Sequence, residues 1–439
     1  FVVFIFNCIG FFIKYAAMAL LFGLFFLFLI MGMPVAFCMM CSAVLYCTVY
    51  GESINMVLTR TIAGPSSFTL MALAFFILAG NIMNNGGVTD QIFGFCKKAV
   101  GWIPGGLGHA NVLASVIFAG MSGAAVADAG GLGAIEVKAM RDDGYDDEFS
   151  VAVTGASSII GPIIPPSIPV VVYAVAASVS VGKLLIGGLL PGLVLALCMM
   201  VYIYFVSKKR GYPRHKFEGF SALGKSFIKS LPALLTPCII LGGILTGICT
   251  PTEASAVAVG YALILSLCSK NLKLRDLPRI LDETMLTTMS VLFIVGCANG
   301  FGYIITIAQL PQKMIALFST FITNRYTALL LINIFLLVVG MLMESLSALT
   351  LLTPILVPIA MSYGIDPIHF GIVMILNLMI GMLTPPVGMV LFVLSRMTPT
   401  PFEKICKAMV PFLGMCIIAL IIIALVPPLV TFLPSVLMG

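Results

Sequence analysis

The sequence predicts an all-α polytopic membrane protein with inverted repeats, each holding a re-entrant helical hairpin and a broken helix. Three observations predict it. Of 439 residues, 61% are hydrophobic and only 9% charged, with a mean hydropathy of +1.16, whereas roughly a quarter of the residues in soluble domains are charged. Many apolar stretches reach the roughly 20 residues that a helix needs to cross a hydrocarbon core of about 30 Å; none alternates like the strands of a transmembrane barrel. The rarest features of one half also recur 220 residues further on.

Composition also excludes function classes. The 12 cysteines lie scattered in apolar segments. Cys38 and Cys41, in AFCMMCSA, have helical spacing, and no second pair or nearby histidine completes a metal site. His109, His215 and His369 are far apart, and no GxxxxGK[ST] occurs. Neither a zinc hydrolase nor a self-powered ATPase is supported, no cofactor is expected, and the surface partner is the lipid bilayer with no nucleic acid. The opening FVVFIFNCIGFFIKYAAM reads as the tail of an upstream segment (residues 1–17), with Met18 opening the unit proper.

The basic residues set sidedness. Lys97/Lys98, Lys138/Arg141, the seven between Lys208 and Lys229, Lys270 to Arg279, and Arg396 to Lys407 fall in loops that the positive-inside rule places in the cytoplasm. Residues 19–50 then leave the cytoplasm and 65–83 return. Residues 111–137 must enter and exit on the cytoplasmic side, because Lys98 and Lys138 flank them; they form the first re-entrant hairpin. Residues 149–178 cross outward, 183–206 return, 231–268 go out and in, and 285–309 go out. A second hairpin, about 327–362, enters from outside. Residues 370–395 cross inward and 408–430 outward, which leaves the C-terminus outside. Arg60, Lys313 and Arg325 are exceptions, basic residues that this path puts outside. DDGYDDEF at 142–149 reads as a solvated loop.

Adding 220 to a position maps Gly120-Met121 onto Gly340-Met341, Gly144 onto Gly364, Asp146 onto Asp366, Gly161 onto Gly381 and Pro165-Pro166 onto Pro385-Pro386, without a gap. Chance apolar similarity supplies matching leucines but not paired prolines at constant spacing. The loop inside the first copy carries Lys138 and Arg141, while its counterpart SYGIDPIHF has neither Lys nor Arg. Opposite charge bias at equivalent positions means opposite orientation, the organisation of secondary transporters whose sites lie at the midplane between repeats.

A Pro-Pro pair at membrane depth removes backbone donors and frees carbonyls that lipid cannot satisfy. Such carbonyls and nearby hydroxyls suit a hard cation, and the following half-helix N-terminus suits an anion. GASSIIGPIIPPS supplies Ser157, Ser158 and Ser167; LNLMIGMLTPPVG supplies Asn377 and Thr384. The hairpin tips add Ser122 and Asp128 in AGMSGAAVADAG, and Glu344, Ser345 and Ser347 in GMLMESLSA. Ionisable groups at that depth are costly, which favours function for Asp128 and Glu344. Glu253, three residues after Thr250, has the spacing of a capping box.

GPIIPPS with SGAAVADAGGLG, GICTPTEASAVAVGYA at 247–262, and GMLTPPVGMVLF at 381–392 together resemble the large membrane subunit (M, or DctM-type) of tripartite ATP-independent periplasmic (TRAP) transporters. The resemblance covers Met18 to the C-terminus. It implies a sodium-driven importer of an organic acid in the bacterial inner membrane, served by a periplasmic substrate-binding protein and a small four-helix membrane subunit, with an elevator-type fold. Some members fuse the two membrane subunits, an arrangement associated with sialic acid; N-acetylneuraminate is therefore the first substrate guess and C4-dicarboxylate the second. The implied plan has residues 1–17 as a fusion linker, 18–110 and 207–326 as scaffold, 111–206 and 327–397 as the two halves of a transport domain, and 398–439 as a C-terminal helix. By the family's pattern one sodium site forms around Ser122, Gly123, Gly161 and Pro165, the other around Glu344, Ser345, Gly381 and Thr384, with at least two sodium ions as coupling ions. Substrate lies between them, near Asp128, Ser167 and Val387.

The alternative is a stand-alone sodium-coupled carboxylate or anion carrier. An intramembrane enzyme using Asp128 and Glu344 is disfavoured, because no nucleophile and base pair appears and the acids fall on separate repeats.

Overall fold

A computed structural model describes residues 19–269, 272–322, 324–385, 388–398 and 400–438, leaving aside the side chains of 90, 120–122 and 317–321. The first helices are α1 (Ala19–Ile30), α2 (Val35–Tyr50), α3 (Ile54–Ala63), α4 (Phe68–Asn85) and α5 (Val88–Val100). Residues 19–50, expected as one crossing, are thus two helices. Gly32, at φ 83, turns the chain left-handed, and Pro34 caps the start of α2, where its missing N–H costs nothing.

The first hairpin is α6 (Gly106–Ser122), then α7 (Ala125–Gly130) and α8 (Leu132–Asp142); its broken helix is α9 (Asp147–Ser158) and α10 (Ile168–Ala176). Then come α11 (Val181–Gly187), α12 (Leu189–Arg210), α13 (Phe220–Leu245), α14 (Pro251–Cys268), α15 (Leu277–Ile307) and α16 (Leu310–Phe321). The second hairpin is α17 (Arg325–Leu342) and α18 (Ser345–Ser362), its broken helix α19 (Pro367–Met382) and α20 (Met389–Met397). The chain closes with α21 (Phe402–Leu425) and α22 (Pro428–Met438). The expected single C-terminal helix is therefore two, stopped at Pro427-Pro428, since a proline N has no hydrogen to give the carbonyl four residues back. Among the described residues there is no strand, and eight helices are long and apolar enough to cross a membrane.

The repeat is visible in the helix ends. Shifted by 220, α7 and α9 begin where α18 and α19 begin, and α6 and α10 begin one residue away from α17 and α20. It also reaches further upstream than the motifs indicated: the same shift lays α3 and α4 on α15 and α5 on α16. One copy is split at Gly64-Pro65 and the other runs through.

Packing exchanges partners between the copies. Helix α14 packs on α4, and α15 on α2 and α3; α12 and α21 pair across the two halves. The half-helix after each break lies on the other copy's hairpin, α10 on α18 and α20 on α7. One tether is explicit: the buried Tyr173 of α10 donates from its hydroxyl to the Pro367 carbonyl at the start of α19, at 2.7 Å. Gly371 makes room for that ring, since a Cβ there would lie 2.4 Å from it.

The DDGYDDEF loop is not merely solvated. Asp143 meets His215, Asp146 meets Arg210 and Tyr212, Asp147 meets Arg141, and Glu148 meets Lys404. These partly exposed pairs contribute little each, but they bind the acidic turn to the neighbouring basic segments. Glu253 and Thr250 form the expected capping box at the start of α14.

Candidate transport site

The two breaks differ for a reason that is local. Helix α9 ends at Ser158 because Pro162 follows within the next turn, and proline both lacks the N–H and clashes with the preceding turn. The chain then passes a cis Pro165-Pro166 bond and restarts at Ser167. That serine is fully buried; its Oγ accepts the Val170 N–H at 3.2 Å and donates to the Pro162 carbonyl, so it caps α10 and closes the break on itself. In the second copy Met382 stands where Pro162 stood, and α19 runs one turn further. There Thr384 donates to the Ile380 carbonyl at 2.7 Å. Val387, expected near substrate, lies outside the described residues.

Each hairpin meets the break of its own copy. At the first tip Gly123 has φ 60, and a Cβ on it would lie 2.8 Å from the Pro166 carbonyl oxygen. Asp128, buried in α7, reaches the same break, where a Cβ on Gly161 would lie 2.9 Å from its Oδ2. The first hairpin thus meets its break at two points, Gly123 on the Pro166-Ser167 backbone and Asp128 beside Gly161. Ser122 ends α6, and its side chain is outside the description. Pro165 stands in the break itself, before the cis bond to Pro166.

In the second copy, α17 and α19 cross backbone to backbone: a Cβ on Gly381 would lie 2.5 Å from the Gly340 carbonyl carbon. Glu344 caps α18, accepting from the Ser347 N–H at 2.9 Å, the Ser347 hydroxyl at 3.2 Å and the Ser345 hydroxyl at 3.3 Å. Among the described residues no hydrogen bond joins Glu344 or Ser345 to Gly381 or Thr384. Instead Glu344 and Ser347 border a cavity of about 590 Å³ against Pro34 of the α1–α2 turn and Thr287 and Ser290 of α15.

Two clasps between hairpin and broken helix were not anticipated. Asn111 of α6 donates to Thr154 at 2.7 Å and accepts from Ser157 at 2.6 Å. Asn377 of α19 donates to the side-chain oxygen of Asn333 at 2.7 Å and to its carbonyl at 2.9 Å. The signal was available, because Ser157 and Asn377 are 220 residues apart and an asparagine in an apolar helix needs a partner. Glu136 of α8 is a third surprise, buried with its Oε1 unbonded among the described residues. Among those residues no group of three His, Cys, Asp or Glu side chains stands ready to hold a metal.

A hairpin and a broken helix, twice over and with exchanged packing, is a transporter architecture, and comparison with known proteins assigns it. The family described as the DctM component of tripartite ATP-independent periplasmic transporters matches residues 22–429. The chain belongs to this family. It is 45% identical to the sialic acid TRAP transporter large permease SiaM of Vibrio cholerae, over 93% of this chain and 96% of that one. It is 40% identical to the sialic acid TRAP permease SiaT of Haemophilus influenzae, over 92% of this chain but 66% of the longer relative. The C4-dicarboxylate large permease DctM of Pseudomonas aeruginosa is 38% identical, over 88% of this chain and 90% of that one. Among solved structures the YdaH transporter of Alcanivorax borkumensis superposes with a TM-score of 0.60 at 14% identity, covering 84% and 86% of the two chains. At that identity the likeness is of fold alone. This DctM-family chain is accordingly a multi-pass membrane permease component, and its relatives are transporter subunits rather than enzymes.

Proposed function

We propose that this permease imports an organic acid into the cell by sodium symport, taking it from a periplasmic binding protein and working with a small membrane subunit that is separate or fused. N-acetylneuraminate is the first candidate, supported by the likeness to SiaM over nearly the whole of both chains; a C4-dicarboxylate is the second, from the DctM likeness. The observation that carries the reading is the seating of the first hairpin tip on the first break. Gly123 lies close against the Pro166 carbonyl and Gly161 against the Asp128 carboxylate, which puts carbonyls of the break and an acid beside the tip, donor chemistry for a hard cation such as sodium.

The first sodium site is placed around Ser122, Gly123, Gly161 and Pro165, and the second around Glu344, Ser345, Gly381 and Thr384. Substrate sits between the tips, where the α10 N-terminus favours a carboxylate. Exchange of partners between copies ties both hairpins and both half-helices into one body, which suits an elevator movement past the α2–α4 and α13–α15 scaffold. The protein is placed in the inner membrane with its C-terminus periplasmic; α22 packs on α11, which follows the outward end of α10 on the charge-derived path.

Uptake of radiolabelled acid into proteoliposomes holding both membrane subunits tests this. We expect uptake to need both an inward sodium gradient and the loaded binding protein. Uptake that persists when both are omitted refutes the reading, and sodium-driven uptake without binding protein supports the stand-alone carrier.

A further inference from the structure

Arg60 breaks the charge pattern. It lies in the last turn of α3, at the end that the positive-inside path puts outside, and a cationic side chain near a membrane span requires a reason. Among the described residues its guanidinium makes no ion pair and no hydrogen bond. Its guanidinium lies 5.8 Å from the centroid of the Tyr303 ring, a cation–π contact that leaves its N–H donors unoccupied.

The two residues border a cavity of about 350 Å³ between α3 and α15 on one side and α10 and α18 on the other. Asn299 and Thr306 face it from α15, Ser178 from the end of α10, and Thr350 from α18. Asn299 donates its Nδ2 to the Val295 carbonyl at 3.1 Å, which leaves its Oδ1 to receive a hydroxyl proton. It fits because position 64 is glycine; a Cβ there would lie 2.6 Å from the Asn299 amide nitrogen. Thr306 and Thr350 donate to helix carbonyls, so their oxygens remain acceptors. The volume suits a small solute, and one unspent guanidinium amid hydroxyls and an amide suits a polar carboxylate.

We infer that this cavity is a carboxylate-binding way station. Arg60 holds the solute's carboxylate through two parallel N–H bonds, while Asn299 and the three hydroxyls meet its polar body, on the outer side of the hairpin tips. Half of its wall belongs to the scaffold helices α3 and α15 and half to the broken helix and hairpin elements α10 and α18, so sliding of α10 and α18 past α15 takes the site apart and releases the acid. The inference rests on the organic-acid reading above.

Its test is equilibrium binding of radiolabelled N-acetylneuraminate, or of succinate if wild-type uptake prefers it, to the assembled membrane subunits in nanodiscs without binding protein. Arg60→Gln is expected to weaken binding about tenfold, the size of one lost charged hydrogen-bond pair. Arg60→Lys, which keeps charge but not the fork, should weaken it about threefold, and both should keep the wild-type melting temperature. The same loss is expected in nanodiscs of zwitterionic and of anionic lipid. An unchanged dissociation constant in Arg60→Gln overturns the inference, and so does a loss confined to anionic lipid, which makes Arg60 a lipid-phosphate anchor. Wild-type protein that takes up neither acid with sodium sinks the importer reading instead, a separate result.

Discussion

The two copies carry one architecture and place their acids one helical turn apart. In the first, Ala124 stands at the tip and Asp128 lies a turn inside, against Gly161 of the break. In the second, Glu344 occupies the tip and caps its own helix with three hydrogen bonds, while Ala348 takes the position of Asp128. The hairpins also differ in the continuity of their returning arms. Gly130-Gly131 interrupt the returning arm between α7 and α8, whereas Thr350-Leu351 let α18 run unbroken. The bend matters, because a Cβ on Gly131 would lie 3.1 Å from the Asn84 side chain of α4. The first copy thus presents an acid to its break and the second spends one on its fold; an inverted repeat equalises the frame and leaves the chemistry free to diverge.

The largest effect expected from this comparison is at the second crossing. Gly381→Ala pushes a methyl into the Gly340 backbone, which cannot swing aside, and should cost about 3 kcal/mol or more; Gly161→Ala is pressed mainly by the Asp128 carboxylate, a side chain that can shift, and should cost about 1 kcal/mol. Melting temperatures in detergent read the difference, and equal values would mean that the two crossings are equally tolerant. Next in size, Asp128→Asn should raise the sodium concentration for half-maximal uptake about tenfold, the cost of removing one charge from a cation site. Glu344→Gln should raise it less, about threefold, because that carboxylate is already held by three hydrogen bonds of its own tip, and lose about 1 kcal/mol of stability as a weakened cap. If the two shift the sodium response alike, the acids do the same job. The smallest effect is at Ser167: Ser167→Ala removes a cap worth about 1 kcal/mol with an unchanged uptake KM. A KM raised severalfold would give the hydroxyl the substrate role that its position in the sequence proposed.

Much of this was legible beforehand because prolines, glycines and charges act locally. The paired GxxxPP breaks and the G-x-D turns located the second hairpin and both broken helices to within about three residues, and the first hairpin to within five at each end. Misses at the two chain ends were legible too: Gly32-Met33-Pro34 and Pro427-Pro428 carry the same stop signals and were passed over inside long apolar runs. What no local rule reaches is which helix meets which. That α10 packs on α18 of the other copy and that Asn111 clasps Ser157 depend on tertiary placement. In an interior where nearly every residue is apolar, hydrophobic pattern does not choose partners.

The exchange of half-helices between copies has a consequence for how the chain can be divided. Cut within residues 211–219, between the copies, each fragment keeps a hairpin but lacks the half-helix that covers it. Neither piece can finish its interior alone, and each exposes a surface that only the other matches. The halves are therefore obligate complements, like two hands clasped by the fingers, and two separately made fragments should restore one permease only when they meet in the same bilayer.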